Sequence, residues 1–510
     1  MSNSKVYKIL KFAKKIKVLI YSLIFIFALF TLLRISTRFH LDGLSKWTMP
    51  VAFLIKIGAG LLLFYLHYNT YGIDELSHDG ETFMKEGKYL NDVFYTSPLH
   101  FLQLLTGFGE STQLIEQHLH MTEYWSAGDL TLINDSKNII RIHSLIHFFS
   151  ANTYLVHLSI LCFLSLIGIK LIYQSIQPYT SQSKILVFSV LLLVPSTIFW
   201  TSSMMKEPML LLGMGIMLYS LIKVQNKTGK VIYFLLSCCI LIAFKPYVLA
   251  CFLLALIVVL VYKYVFHHRL IFTLISLFTG AFLLGFLAKK PTQKIVDNLT
   301  RKQFDFVNVG KGGLHVVADS CIYYFQPHQY DKIEFKGNKV RLTQDVDAFI
   351  IHFGSTQKPK PIHLKPQKSE WWTVTYFAQG CSSYIETTPI SNSFSQLIKN
   401  IPEALTNSIF RPFFNDPGSK LKYLSFLEIW MIVFFLIIAI VNRRKLSKRE
   451  KELIFGLLTF AFLLFILIGW TTPVIGAITR YRFPAQLAII IIGIILIKPI
   501  SSIRWKKNMS

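Results

Sequence analysis

Residues 194–219 read VPSTIFWTSSMMKEPMLLLGMGIMLY. One apolar run, 185–201, leads into a few small and polar residues, and a second, 208–224, leads out. Lys206 and Glu207 stand at the join, with Pro208 directly behind them. Proline fits the first turn of a helix, where its missing N–H costs nothing. The spacing therefore predicts a helix that starts at Glu207, where the helix dipole favours a carboxylate. Charges beside hydrocarbon cost roughly 2.5–3.5 kcal/mol each on insertion scales, which marks them as candidates for function. A plain interfacial turn with a snorkelling Lys206 is the alternative.

The same alternation of apolar run and short polar join recurs along the 510-residue chain, which is 53% hydrophobic. Apolar segments fall at 18–33, 50–67, 153–173, 185–201, 208–224, 231–245, 249–263, 270–288, 422–441, 453–470 and 481–499. The expected fold is a polytopic α-helical membrane protein with about 10–12 transmembrane helices. The formal charge of +26 does not point to nucleic acid, because the basic residues cluster beside apolar segments. That is the positive-inside pattern. The basic N-terminal run precedes an apolar segment without a small-residue cleavage site, so no cleaved signal is expected.

Five regions follow. Residues 1–68 hold the basic N-terminus and first membrane segments. Residues 69–152 form an acidic external loop; from 71 to 136 its only bases are Lys85 and Lys88. Amphipathic helices are expected there at 83–89 and 101–108. Residues 153–288 are a transmembrane bundle. Residues 289–421 carry strand-like runs at 313–325, 332–342 and 371–377, read as a small β-rich external insert, followed by a helical stretch at 393–410. Residues 422–510 are the C-terminal transmembrane helices and a basic tail. The charge pattern conflicts in one place. Eleven segments put the chain ends on opposite sides, yet both ends are basic. Either 231–263 is a single helix broken at Lys245-Pro246, or the first segment is interfacial, reversed, or paired with another.

Four places carry candidate chemistry. Asp74, Asp79 and Glu81 follow the second segment, and a partly desolvated carboxylate at a membrane rim can act as a general base on a hydroxyl. Lys206-Glu207 is the second. Lys245 is a cation inside an apolar run. Arg480 and Arg482 head the last segment, where guanidinium groups suit a phosphate. Solvated loops and interfacial anchors are the competing explanations. On the preferred topology all four face outward, and together they suggest transfer from a lipid-linked phosphate. His118-x-His120 and His143-x3-His147 have metal-like spacing but no acidic or cysteine partner, so neither a metal nor any other cofactor is expected. Cys162, Cys238, Cys239 and Cys251 read as small hydrophobes, while Cys321 and Cys381 could pair in an oxidising compartment.

At these residues the chain resembles the GT-C class of integral membrane glycosyltransferases, of the protein-mannosyltransferase and aminoarabinose-transferase type. His78-Asp79-Gly80-Glu81 with Phe83 resembles the class's acidic first-loop motif. The stretch 202–208, SSMMKEP, is similar to its small-polar turn, and 480–484, RYRFP, to its late-helix entry. Segments 398–414 and 195–208 also look like uncharacterised bacterial membrane proteins. The resemblance covers 50–290 and 395–500. It implies an inverting transfer of sugar from a polyprenyl-phosphate donor to an envelope glycan, lipid or protein acceptor, outside a bacterial inner membrane. Asp79 would be the base and Glu207 a second acid, with Lys206, Lys245, Arg480 and Arg482 for the phosphate. An extra apolar segment before the first loop and the position of the β-rich insert depart from the class. An O-antigen-type polysaccharide polymerase is the rival enzyme, and a transporter or structural membrane protein the rival outside catalysis.

Overall fold

The computed structural model describes residues 3–71, 79–125, 134–273, 275–276, 279–280, 289–319, 321–337, 339–352, 355, 359–366, 371–378, 380–390 and 394–499. Among them, seven helices are long and apolar enough to cross a membrane, or eight if one bent pair counts as a single span. The chain is a multi-pass helical protein carrying a small antiparallel sheet. Two expected spans are shorter than a bilayer requires: Lys184–Leu193 ends ahead of Pro195, and Glu207–Ile222 has sixteen residues. Most of the expected segment at 270–288 lies outside the described residues. The chain divides into two units, 1–250 with 439–444 and 493–510, and 251–438 with 445–492.

In the first unit, α1 (Asn3–Ile35) and α2 (Thr48–Tyr71) are followed by the short helices α3 (Asp79–Thr96), α4 (Pro98–Thr106), α5 (Thr112–His118) and α6 (Asp135–Ser150). These last four fill the expected acidic loop. Then come α7 (Tyr154–Ile176), α8 (Lys184–Leu193), α9 (Pro195–Trp200), α10 (Glu207–Ile222), α11 (Lys227–Phe244) and the start of α12 (Pro246–Leu260). Small residues let the helices close up, as is usual where apolar surface alone gives no drive to associate. A Cβ on Gly215 of α10 would stand 2.4 Å from the Gly168 carbonyl oxygen of α7. The Ser237 hydroxyl of α11 donates to the Gly213 carbonyl of α10 at 2.8 Å. The helices on either side of Lys245 each have the length of a full span, so 231–263 is two spans and not one.

Contacts sort the helix ends into two groups. Tyr21 of α1 donates to the Phe149 carbonyl, and Phe64 of α2 meets Tyr154 of α7 at 4.8 Å between rings. At the other end Arg34 lies 4.5 Å from the Trp47 ring, and Lys170 Nζ donates to the Arg38 carbonyl at 2.6 Å. Gln182 Nε2 donates there to the Lys498 carbonyl at 2.8 Å, and Arg444 Nε to the Ile495 carbonyl at 2.9 Å. This second end is rich in cations, and the charge rule assigns it to the cytoplasm. Helix α1 therefore crosses with its basic N-terminal turns at the acidic end. Of the alternatives for the first segment, a helix of full span length beside α2 fits the crossing with a reversed charge signal.

In the second unit, α12 runs on into a π-turn at Val261–Val265. Helix α13 (Lys289–Lys311) precedes seven strands: β1 (Gly313–Ala318), β2 (Cys321–Phe325), β3 (Ile333–Lys336), β4 (Lys339–Leu342), β5 (Val346–His352), β6 (Lys360–Leu364) and β7 (Trp372–Ala378). They form one antiparallel sheet, ordered β3-β4-β7-β1-β2-β5-β6. Leu314, Val316, Phe325, Val340 and Val346 are in the core on one face. On the other, Phe304 of α13 packs on Tyr324 and Phe349, both at 5.2 Å between rings. Cys321 and Cys381 are both free thiols. Helices α14 (Phe394–Lys399) and α15 (Ile401–Leu405) and a π-turn at Thr406–Phe410 break up the expected helical stretch. Spans α16 (Lys422–Val441) and α17 (Lys448–Thr471) follow, then α18 (Ile475–Tyr481) and α19 (Phe483–Leu496), which bend by 48° at Arg482.

The two-ended arrangement is testable in membranes. In a background without the native cysteines, Ser4→Cys and Glu123→Cys should react with an impermeant maleimide from one side. Gln225→Cys and Ser181→Cys should react only once the membrane is opened. Labelling of position 4 together with 225 would reverse the assignment of α1.

Candidate functional site

Helix α6 organises the acidic end of the first unit. Asn134 caps it, its Oδ1 accepting from the Ser136 and Lys137 N–H groups at 3.0 and 3.1 Å. That leaves Asp135 on the first turn, where a carboxylate is favoured. One turn on, Asn138 Nδ2 donates to the Ala243 carbonyl at 2.8 Å and so pins the end of α11. The following residue pair, Lys245-Pro246, is thereby brought to Asp135. Asp135 Oδ2 lies 3.3 Å from Lys245 Nζ, and its Oδ1 lies 3.0 Å from Lys206 Nζ. Lys206 also donates to the Ser136 hydroxyl at 2.8 Å and sits 5.3 Å above the Phe83 ring. The two lysine side chains are 10% and 5% exposed and that of Asp135 is 36% exposed, so the carboxylate is the open side of the triad. Burial works to raise the Asp135 carboxyl, but the Lys245 and Lys206 charges and their hydrogen bonds outweigh it and hold the group at about 2.

The turn that carries Lys206 and Glu207 is held from three directions. His143 Nε2 bonds the Met204 carbonyl at 3.0 Å. A carbonyl only accepts, so this nitrogen carries the proton. His143 Nδ1 then accepts from His157 Nδ1 at 2.8 Å, and His157 Nε2 accepts from the Ser150 hydroxyl at 3.0 Å. Burial pushes His143 down to about 4, in keeping with a neutral ring. From α2, the fully buried Lys56 donates to Thr201 Oγ1 at 2.9 Å, and Thr201 donates on to the Thr197 carbonyl at 2.6 Å. Gly60 lets α2 approach, since a Cβ there would be 2.1 Å from the Ser202 carbonyl oxygen.

Helix α3 supplies the remaining wall. It opens at Asp79, which is half-buried, and Gly80 lies against Met204. Glu81 is exposed on the same first turn. Gly60, Leu63, Phe64, Gly80, Tyr154 and residues 203–205 line a small cleft beside it. Glu207 is 1% exposed at the first position of α10, as the proline spacing predicts. Farther along α3, Glu86 accepts from the Glu123 N–H at 2.5 Å and the Tyr124 N–H at 3.3 Å. It ties the following loop to α3. Burial pushes its carboxyl up to about 7, against the pull of those N–H groups.

Of the residues selected from sequence, Lys206 and Lys245 share one carboxylate, and Asp79, Glu81 and Glu207 sit on the elements around them. Asp74 lies outside the described residues. Arg480 and Arg482 belong to the second unit. Arg480 is half-buried in the last turn of α18, 5.9 Å from the Tyr481 ring. Arg482 is fully buried; its Nη1 donates to the Ser408 and Arg411 carbonyls and its Nη2 to Ser425 Oγ at 2.7 Å. Asp135 and Lys56 were not selected. Lys56 had a visible signal, a lone cation inside the apolar run 50–67. His118 lies 2.9 Å from His100, and among the described residues no group of three or more His, Cys, Asp or Glu is gathered for a metal ion. No family model matches the chain, and no characterised protein or solved structure matches it.

The sign of one pH effect follows from Glu86. Between its ordinary value near 4.5 and about 7, the folded protein holds a proton that the unfolded chain has released. Stability from this group is therefore lost as pH rises through that window. Glu86→Gln should gain on wild type progressively from pH 4.5 to 7, by on the order of 2 kcal/mol. Thermal unfolding in detergent across that range measures it, and a difference that is flat with pH would remove the buried-proton account.

Proposed function

We propose that the chain is a GT-C-like membrane glycosyltransferase that moves a sugar from a polyprenyl-phosphate donor to an envelope acceptor, at the non-cytoplasmic face of a bacterial inner membrane. One observation carries the proposal. Lys206 and Lys245, on separate elements, converge on a single partly open carboxylate at the helix end where Asp79 and Glu207 also lie. A phosphate oxygen there meets two ammonium groups already aimed at one point, and preorganised charge of this kind is what a departing phosphate needs.

In this scheme an acceptor hydroxyl attacks the anomeric carbon as the carbon–oxygen bond to the phosphate breaks. The hydroxyl proton passes to Asp79, and the charge that grows on the leaving phosphate is taken up by Lys206 and Lys245. Glu207 orients one of the two substrates from the start of α10. The sugar is transferred with inversion, because a single displacement turns the anomeric centre over. In the second unit, Arg482 acts on the backbone at its own helix bend.

The test is lipid-linked glycan analysis in cells carrying wild type, a deletion, Asp79→Asn, Glu207→Gln or Lys245→Ala. All four altered strains should accumulate the same polyprenyl-phosphate sugar, with activity down by about 10²-fold or more for the loss of the base. A changed lipid pool in the deletion alone would overturn the site. An unchanged pool in every strain would overturn the transferase and favour transport or a structural role.

A further inference from the structure

The first unit holds the same arrangement twice, and the two copies differ in one respect. Glu110 takes Lys137 Nζ at 2.6 Å and Arg141 Nη2 at 3.1 Å, and Asp135 takes Lys206 and Lys245. Each is one carboxylate between two cations that reach it from other turns or elements. Glu110 is sealed, with its side chain 2% exposed, and receives a third donor from Trp125 Nε1 at 2.8 Å. Nothing can exchange with it without opening the fold. Asp135 is 36% exposed, at the first position of its helix, and its carboxylate stands only two bonds from the backbone. Its two lysines are nearly buried and need an anionic partner whether or not a substrate is present.

We propose that Asp135 is a displaceable internal counter-ion, which holds Lys206 and Lys245 together in the empty site and is exchanged for a phosphate group when ligand binds. This rests on the reading of the two lysines as phosphate ligands. The exchange has a defined charge balance. The triad carries one net positive charge, and rotation of Asp135 toward solvent exposes two for a phosphate. The carboxylate thus competes with every incoming anion, and one that can bridge both amines, as a phosphate can, competes best. A phosphate can bridge both amines while its remaining oxygens face the Ser136 hydroxyl. A lipid-linked and a free phosphate share this chemistry, and the experiment has to separate them.

Full-length protein in detergent is titrated with farnesyl phosphate and, separately, with inorganic phosphate, by calorimetry and by ligand-induced thermal shift. Asp135→Asn and Asp135→Ser should unfold at lower temperature than wild type without ligand, and bind farnesyl phosphate about three- to tenfold tighter. Their ligand-induced rise in Tm should be larger than that of wild type. Glu123→Gln removes the same charge from the exposed surface at this end and should leave affinity unchanged, while Lys206→Ala and Lys245→Ala should lose at least tenfold. If the Asp135 variants bind equally or more weakly while the lysine variants lose binding, the counter-ion role is overturned and the phosphate site stands. If the lysine variants bind like wild type, the phosphate site falls and the counter-ion role with it. Tightening for inorganic phosphate alone would keep the exchange but overturn the lipid-linked ligand.

Discussion

A lysine ammonium buried among apolar helices must be given an acceptor, and three lysines impose that condition around the 201–206 turn of the first unit. Lys56 finds Thr201, and Lys206 and Lys245 find Asp135. None of these pairs is local in sequence; Lys245 and the Asp135 carboxylate are 110 residues apart. Each therefore fixes a tertiary relation: α2 to the end of α9, and the 201–206 turn and the α11–α12 junction to the first turn of α6. Leaving any one of these cations buried without its partner would cost several kcal/mol, comparable to much of the stability of a folded domain.

Helix α6 can present Asp135 to both lysines because its histidine-bearing face is satisfied by neutral hydrogen bonds. The His143–His157–Ser150 chain has a single consistent proton arrangement, set at one end by the Met204 carbonyl. His147 Nε2 bonds the Met84 carbonyl at 2.9 Å, and Asn91 Nδ2 donates to the Ser144 carbonyl at 3.0 Å, so α3 is held to α6 by neutral hydrogen bonds. Gly87 permits the approach, as a Cβ there would meet that of His143 at 2.6 Å. Neutral bonds keep the packing insensitive to the charge state of the triad a turn or two away. The wall of the site can stay in place while its counter-ions change.

Seven of the expected spans, strands β1–β4 and β7, and the helix start at Glu207 are legible in the sequence because each is a local pattern of period, proline position or hydropathy, whereas β5 and β6 fell outside the expected runs. Lys206 and Lys245 stand out for the same reason, as charges in apolar surroundings. Asp135 does not, because it is one of many acids in a polar stretch and its distinction comes only from the lysines that reach it. The orientation of α1 was also out of reach. Its five N-terminal lysines oppose the charge rule, while the Tyr21 bond to the Phe149 carbonyl and Arg34 beside the Trp47 ring set its direction relative to the neighbouring helices. Glu86 and Glu110 were hidden for the same reason as Asp135, since burial is a tertiary property.

What a buried cation is aimed at separates its two uses in this protein. Where a helix bends or a π-turn opens, backbone carbonyls lose their regular partners and need donors. Arg482 sits at such a bend and gives its Nη groups to the carbonyls at the Thr406–Phe410 turn and to Ser425. A guanidinium with a rigid fork suits that duty, because several fixed acceptors can be met at once. Lys206 and Lys245 are instead aimed at a side-chain carboxylate that is part open to solvent, and an ammonium on a flexible stem can follow whichever anion occupies the point between them. By that criterion the arginine at the bend maintains the backbone, and the lysine pair is the place we propose for exchange between an incoming anion and the protein's own.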